Sequence, residues 1–193
     1  MFVPLEMIGL LVVNSIPTTV GVTQALRFKD RQASGDDADP VRFTVVALCE
    51  ENEELNKKQI VLQDHKLYVK TPATQDYHAF SGYFLPYPKS EETGLVSTIS
   101  KDPPLLNWIY IDKKTKELKY GTGSESRENE HGTWSSDDEE EIMINSDKEG
   151  WVAIEEQEGG GKWALYHDAE QDDDLDLEEK NYFSVELLRI PIG

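Results

Sequence analysis

The chain has 193 residues, enough for one domain with a sizeable core and an appendage but not for two full domains. Thirty-eight acidic residues against nineteen basic ones give a formal charge of −19. That balance argues against a nucleic-acid binder, because phosphates are repelled rather than neutralised. The acid is concentrated: residues 135–180 carry 18 Asp or Glu and 3 Lys, so they hold 15 of the 19 net negative charges.

Residues 1–26 contain no Lys or Arg and one acid, Glu6, around an apolar heart at 7–13. Three readings compete for this stretch. A membrane span needs about 20 mostly apolar residues, and 7–26 has that length but is diluted by Asn14, Ser15, Pro17 and several threonines. A cleaved secretory signal normally begins with basic residues, which are missing here. A helix docked on the domain or on a partner is the third. If the segment inserts, Arg27, Lys29 and Arg31 hold the following domain on the cytoplasmic side. Residues 32–40, small, acidic and ending in Pro40, read as a linker, so the expected organisation is an apolar segment with a basic flank (1–31), a linker (32–40) and a β domain (41–193). The lone Cys49 has no disulfide partner, and no Asn-x-Ser/Thr site occurs, which points to a reducing, intracellular compartment, with secretion as the alternative. Cys49 sits in the apolar run 43–49 and reads as a small buried hydrophobe.

From residue 43 on, short runs of period two dominate. Residues 43–50 form a first strand, and 51–58 a loop or helical turn. Residues 60–63 and 66–70 form a hairpin about Asp64-His65, which makes His65 a turn residue rather than a ligand. Residues 79–87 form an aromatic strand through Phe80, Tyr83, Phe84 and Tyr87, bounded by prolines. Residues 105–112 alternate Leu106, Trp108 and Tyr110 against Leu105, Asn107, Ile109 and Ile111; both faces are mostly apolar, so this strand is expected in the middle of the fold. A polar connection leads into a second arm at 118–120, stopped by Gly121. Residues 122–134 show no clear periodicity. A last hairpin joins 150–156 to 162–168 through Gly159-Gly160-Gly161, and 182–190 closes the domain. Strands beginning at Trp108, Trp151 and Trp163 repeat one local solution. About nine to eleven short strands with polar turns predict a mainly β domain, an antiparallel barrel or sandwich, after an apolar and helical N-terminal segment.

The polar residues Asn107, Arg127 and His131, with Ser97, Thr98 and Ser100 nearby, are candidates for a ligand site walled by Trp108, Tyr110 and Trp134. The competing reading is cross-strand hydrogen bonds and turn caps beside packed aromatics. Asp172, Asp174, Asp176 and Glu178 place hard oxygen donors on alternate residues, the pattern a Ca²⁺ loop uses. An EF-hand counted from Asp172 requires Gly sixth and Glu twelfth, where this chain has Leu177 and Phe183, so a solvated acidic loop competes with the metal reading. Residues 121–127 are Gly-rich but lack the GK[ST] ending of a phosphate loop. No G-x-S-x-G, HExxH or CxxC occurs, and His65, His78, His131 and His167 are dispersed.

The motifs GLVSTIS (94–100), DPP (102–104), LNWIY (106–110) and ELKYG (117–121), with GWVAIEE (150–156) and WALY (163–166) after them, resemble a family of small, uncharacterised proteins from filamentous fungi. The resemblance spans about residues 41–190, and its members also begin with an apolar segment, basic residues and a variable linker. This chain departs from it after Gly121, where a more apolar, Trp-richer passage is expected in place of residues 131–136. The resemblance implies a single β domain and a fungal origin; it brings no activity, cofactor or catalytic residue. The expected function is a non-enzymatic binding module whose acidic face selects a basic protein or a small ligand, without nucleic acid or cofactor, and with membrane association through 1–26 as an option. The alternatives are an enzyme with a pocket near Asn107, Arg127 and His131, and a Ca²⁺-dependent module using 172–179.

Overall fold

The computed structural model describes residues 40–192 apart from 101, 103, 137–141, 147–149, 169–174, 176 and 178. The strand β1 (Phe43–Leu48) buries Phe43, Val45 and Ala47 and leaves Thr44, Val46 and Leu48 half-buried, the period-two signature of a strand with one face on a core. The arms β2 (Lys58–Gln63) and β3 (Lys66–Val69) meet at Asp64-His65, as expected. Both turn residues have positive φ, 50° and 65°, the primed geometry that matches the twist of the flanking strands. After a 3-10 turn at Pro72–Thr74 the aromatic stretch divides into β4 (His78–Ala79) and β5 (Gly82–Pro86). Gly82 is required at the break, since a Cβ there would collide with the Val96 carbonyl oxygen of the next strand.

Then follow β6 (Thr93–Thr98), β7 (Leu106–Ile111), β8 (Leu118–Gly121), the short helix α1 (Gly123–Arg127), β9 (Trp134–Ser136), β10 (Met143–Asn145), β11 (Trp151–Glu155), β12 (Trp163–His167) and β13 (Tyr182–Pro191). The described residues thus form thirteen strands, more than the nine to eleven expected, because the aromatic strand is split and β9 and β10 are separate three-residue pieces. The helix was not expected either. Its signal is the capping box Thr122-x-x-Glu125: Thr122 Oγ1 accepts from the Glu125 N–H, and Glu125 Oε2 accepts from the Thr122 N–H at 2.7 Å.

The order strand, hairpin, strand occurs three times: β1, β2–β3, β4/β5; then β6, β7–β8, β9; then β10, β11–β12, β13. The outer strands of each third close a six-membered ring. β1 pairs with β5 and β13, β5 with β6, and β9 with β10, while β6 packs beside β9 and Ile142 bridges to Leu188 of β13 just ahead of β10. A closed ring is a barrel, which settles the choice between barrel and sandwich. The three hairpins meet at one end of the barrel with a shared register. In each, a buried leucine (Leu67, Leu118, Leu165) points inward. The residue before it pairs with the residue after the equivalent leucine of a neighbour: Lys66 with Lys119, Glu117 with Tyr166, and Ala164 with Tyr68.

Inside lie Phe43, Leu95, Ile109, Ile111, Met143, Trp134 and Trp151. The two indoles stack at 5.6 Å and 7° between planes, and Trp151 Nε1 donates to the Met143 carbonyl at 2.8 Å. A residual cavity of about 10 Å³ is bounded by Val45, Leu95, Trp134 and other core residues. Its lining is apolar, so it stays dry. The expectation that residues 105–112 are buried on both faces is corrected in part: Ile109 and Ile111 enter the core, but Leu105 and Leu106 remain 52% and 45% exposed. They lie where β7 begins, opposite Thr98 and Ile99 at the end of β6. The apolar stretch 1–26 lies outside the described residues, and no described helix is long and apolar enough to cross a membrane.

Candidate functional site

Some residues singled out in the sequence converge on one corner of the second third, with Tyr87 as its hub. The Tyr87 ring is buried, meeting Trp108 edge-on at 4.6 Å and stacking on His131 at 4.2 Å. Its hydroxyl donates to the Gly123 carbonyl at 3.3 Å, which ties the corner to α1. His131 Nε2 lies 2.9 Å from Glu92 Oε2, and its Nδ1 faces the Asn129 carbonyl at 3.3 Å. Gly94 makes the close packing possible, because a Cβ there would strike the Trp108 ring. Arg127, exposed on α1, passes near the same spot, about 3.9 Å from the place a Gly123 Cβ would take. From sequence Tyr87 reads as the last aromatic of the strand 79–87 and not as a site residue, and Glu92 carries no signal; in the structure β5 ends at Pro86 and Tyr87 follows it.

The other candidates point elsewhere. Asn107 alternates with Trp108 along β7 and faces the opposite side. Tyr110 is buried beside Gly121, and burial, then the nearby Glu125 charge, raises its phenol pKa. Trp134 is 1% exposed inside the barrel, so it forms no wall for the Tyr87 corner. Ser97 is buried, accepts from the Ser81 N–H at 3.1 Å and donates to the Thr98 carbonyl at 3.1 Å. Asp172, Asp174, Asp176 and Glu178 lie outside the described residues, and among the described residues no three His, Cys, Asp or Glu gather as metal ligands do.

Concavity is found in the last third. β13 pairs with β11 through Tyr182–Val185 and with β1 through Glu186–Pro191, while Ile142 bridges to its Leu188. Where β13 changes partners, a groove of about 200 Å³ opens, lined by Ile142, Gly150, Trp151, Val152, Asp168, Ser184, Val185 and Glu186. Its lining is mixed, apolar at Ile142, Trp151, Val152 and Val185 and polar at Ser184, and the titratable groups among the lining residues are the carboxylates of Asp168 and Glu186. The indole of Trp151 forms part of the wall but is 2% exposed, stacked on Trp134 at 5.6 Å and meeting the tilted His167 ring at 4.6 Å. Strand alternation and the last hairpin were legible in the sequence. The fork in β13 was not, because a change of pairing partner leaves no mark on a strand's own pattern.

The hairpin end of the barrel carries a charged network. Lys66 Nζ lies 2.8 Å from Glu117 and 2.9 Å from Glu156; Lys119 Nζ lies 3.1 Å from Glu117 and 2.9 Å from Asp112. Tyr68 and Tyr166 donate their hydroxyls to Glu156 and Glu117 at 3.0 and 3.2 Å. Burial alone would raise the Glu117 carboxyl, but hydrogen bonds from Lys66, Lys119 and Thr115 outweigh it and hold the group below the usual carboxylate range. At Asp112 burial is likewise overcome, by Lys119 and the Lys114 and Thr115 N–H groups, leaving it at about 2. Burial and the Glu117 charge push the Tyr166 phenol up to about 12. These are features of a structural lock, with every named charge paired.

No curated protein and no solved structure matches the chain. A family model described as a fungal beta-trefoil domain matches residues 18–192. A trefoil is three strand–hairpin–strand units about one axis, the arrangement that the ring of six strands and the meeting of three hairpins display. This chain belongs to the fungal β-trefoil domain family.

Proposed function

We propose that this β-trefoil is a non-enzymatic binding module that captures a basic protein segment at its acidic end. The observation that carries the reading is the groove at the fork of β13, whose lining mixes apolar side chains with the carboxylates of Asp168 and Glu186. Chain connectivity adds to it. Glu141, Glu149 and Ala169, the immediate neighbours of lining residues Ile142, Gly150 and Asp168, belong to the stretches 137–141, 147–149 and 169–174, which together hold eleven acids and one lysine. A negative field attracts cationic chains and speeds their encounter. Small ligands without positive charge gain nothing from it.

The test is a fluorescence-anisotropy titration of the full chain with a labelled basic peptide, at about 50 mM and about 300 mM salt. The Debye length contracts from about 14 to about 6 Å over that range. Binding is expected at low salt and weaker by tenfold or more at high salt, while an acidic peptide of equal length does not bind. Absence of binding at low salt, or an affinity indifferent to salt, refutes the proposal.

A further inference from the structure

We infer that the outer face of the β1–β13 pair is a self-association surface, on which a second copy of this chain packs about a two-fold axis lying across the strands. The inference goes beyond the capture of a basic segment. Register fixes what the face carries, because directly opposite residues of an antiparallel pair share a side and alternate residues change sides. Val45, Ala47, Val185 and Leu187 point into the core, so the positions between them point outward. On β13 and just past its end these are Glu186, Leu188, Ile190 and Ile192; on β1 and just ahead of it they include Val46 and Arg42, whose carbonyl accepts from the Ile192 N–H at 2.8 Å. Ile190 and Ile192 are 38% and 45% exposed, and Leu188 and Val46 are half-buried. The face is thus an apolar strip with an acid at one end and a cation at the other. Elsewhere the fold seals the same face. β5–β6 is the equivalent junction, the last strand of one third paired with the first of the next, and there the outward Gly94 and Val96 of β6 are buried, Gly94 against the Trp108 ring. At β13–β1 the outward isoleucines stay open to solvent.

The two charged ends select the occupant. A uniformly basic or uniformly acidic partner meets its own sign at one end of the strip, whereas a second copy turned end for end meets the opposite sign at both. A two-fold axis across the strands makes that turn: Ile190 faces Leu188 of the second copy, Arg42 comes beside Glu186 of the second copy, and each contact occurs twice. Both charges are available for it. Among the described residues neither has an ion-pair partner; Arg42 lies over the Tyr83 ring at 5.5 Å, and Glu186 is exposed opposite Leu48. The strip is six residue steps long, about 20 Å, and two strands wide, well short of the roughly 800 Å² per partner of a standard interface, so the dimer is weak, with Kd about 10–100 μM. The formal charge of −19 opposes it at long range, and salt near 150 mM confines that repulsion to about 8 Å.

The experiment is sedimentation equilibrium of the full chain from about 5 to about 300 μM in about 150 mM salt, a range that brackets the expected Kd. The variants are Arg42→Glu, Glu186→Arg, the two together, and Ile190→Asp. All three positions are exposed, and near-ultraviolet circular dichroism checks that each variant keeps the native fold. The native chain is expected to dimerise, each single charge reversal to raise Kd about tenfold or more, and the double reversal to return it to within about threefold of native, since the pairs re-form with their signs exchanged. Ile190→Asp is expected to stay monomeric. The two single reversals move the net charge in opposite directions and the double restores it, so a general charge effect cannot weaken both singles and spare the double. A native chain that is monomeric at about 300 μM, a dimer indifferent to the single reversals or to Ile190→Asp, or a double reversal as weak as the singles overturns the inference.

Discussion

Glu117 offers the most direct trial of how this fold is held together. Its side chain is 11% exposed and accepts from Lys66, Lys119, Thr115 and Tyr166. Directly across the hairpin junction Lys66 faces Lys119, a like-charge pair made tolerable because both ammonium groups reach the same carboxylate. Substitution Glu117→Gln keeps the shape and removes the charge. Breaking a fully buried ion pair costs about 3–5 kcal/mol, and losing an exposed one about 0–1 kcal/mol. Here the lysines are 28% and 22% exposed, and each keeps a second carboxylate, Glu156 for Lys66 and Asp112 for Lys119. The expected loss therefore falls between those limits, at about 2 kcal/mol, which for a domain of this size lowers Tm by about 4–8 °C. Thermal denaturation followed by tryptophan fluorescence measures it. A double-mutant cycle with Lys66→Met adds a sharper readout: Lys66 and Glu117 act together, so the double variant is expected to lose at least about 0.5 kcal/mol less than the sum of the singles. A Tm within about 1 °C of the native chain, or strict additivity, would show that the network contributes nothing and that Leu67, Leu118 and Leu165 alone seat the hairpins.

The same carboxylates predict an acid limb. Their folded pKa values are depressed, that of Asp112 to about 2, so the stability they contribute is complete above the unfolded values of about 4 and drains away as pH falls through the folded ones; urea midpoints below pH 5 should drop less steeply in Glu117→Gln than in the native chain. On the alkaline side the raised Tyr166 phenol contributes stability below pH 10 that is lost between pH 10 and about 12, and Tyr166→Phe should flatten that decline. Gly82→Ala drives a Cβ into the backbone of β6, where no flexible side chain can yield, and is expected to cost about 3 kcal/mol or more in urea unfolding; a loss under about 1 kcal/mol would mean that the β5–β6 contact relaxes freely.

Much of the barrel is legible in the sequence because burial on one face writes itself into every second residue. Phe43, Val45 and Ala47 in β1, and Val185 and Leu187 in β13, carry that signature, and Asp64-His65 announces its own turn. Three-fold order is not legible. The leucines that share the axis, at 67, 118 and 165, have different neighbours, and the tryptophans at 108, 151 and 163, which suggest a repeat, occupy non-equivalent positions: one on β7, two on the arms of a single hairpin. The Tyr87 corner is half visible: Trp108 and His131 stand out as site candidates, while Tyr87 reads only as a strand aromatic. Trp134 reads like a surface aromatic among polar residues and is buried, because β9 is short and its neighbours Thr133 and Ser135 take the outer side. The groove depends on which strands β13 touches, a property of the whole chain.

The junction of the hairpins also says something about heredity and engineering. Three equivalent places around one axis hold Lys66, Glu117 and Ala164: one cation, one anion and one neutral residue. The backbone treats them as interchangeable and the chemistry does not. A chain assembled from three copies of the first hairpin would crowd three lysines about the axis with no anion among them, whereas three copies of the second would alternate acid and base and stay neutral. Each segment therefore carries a tag for its own seat, and charge favours duplicating the middle one over the first.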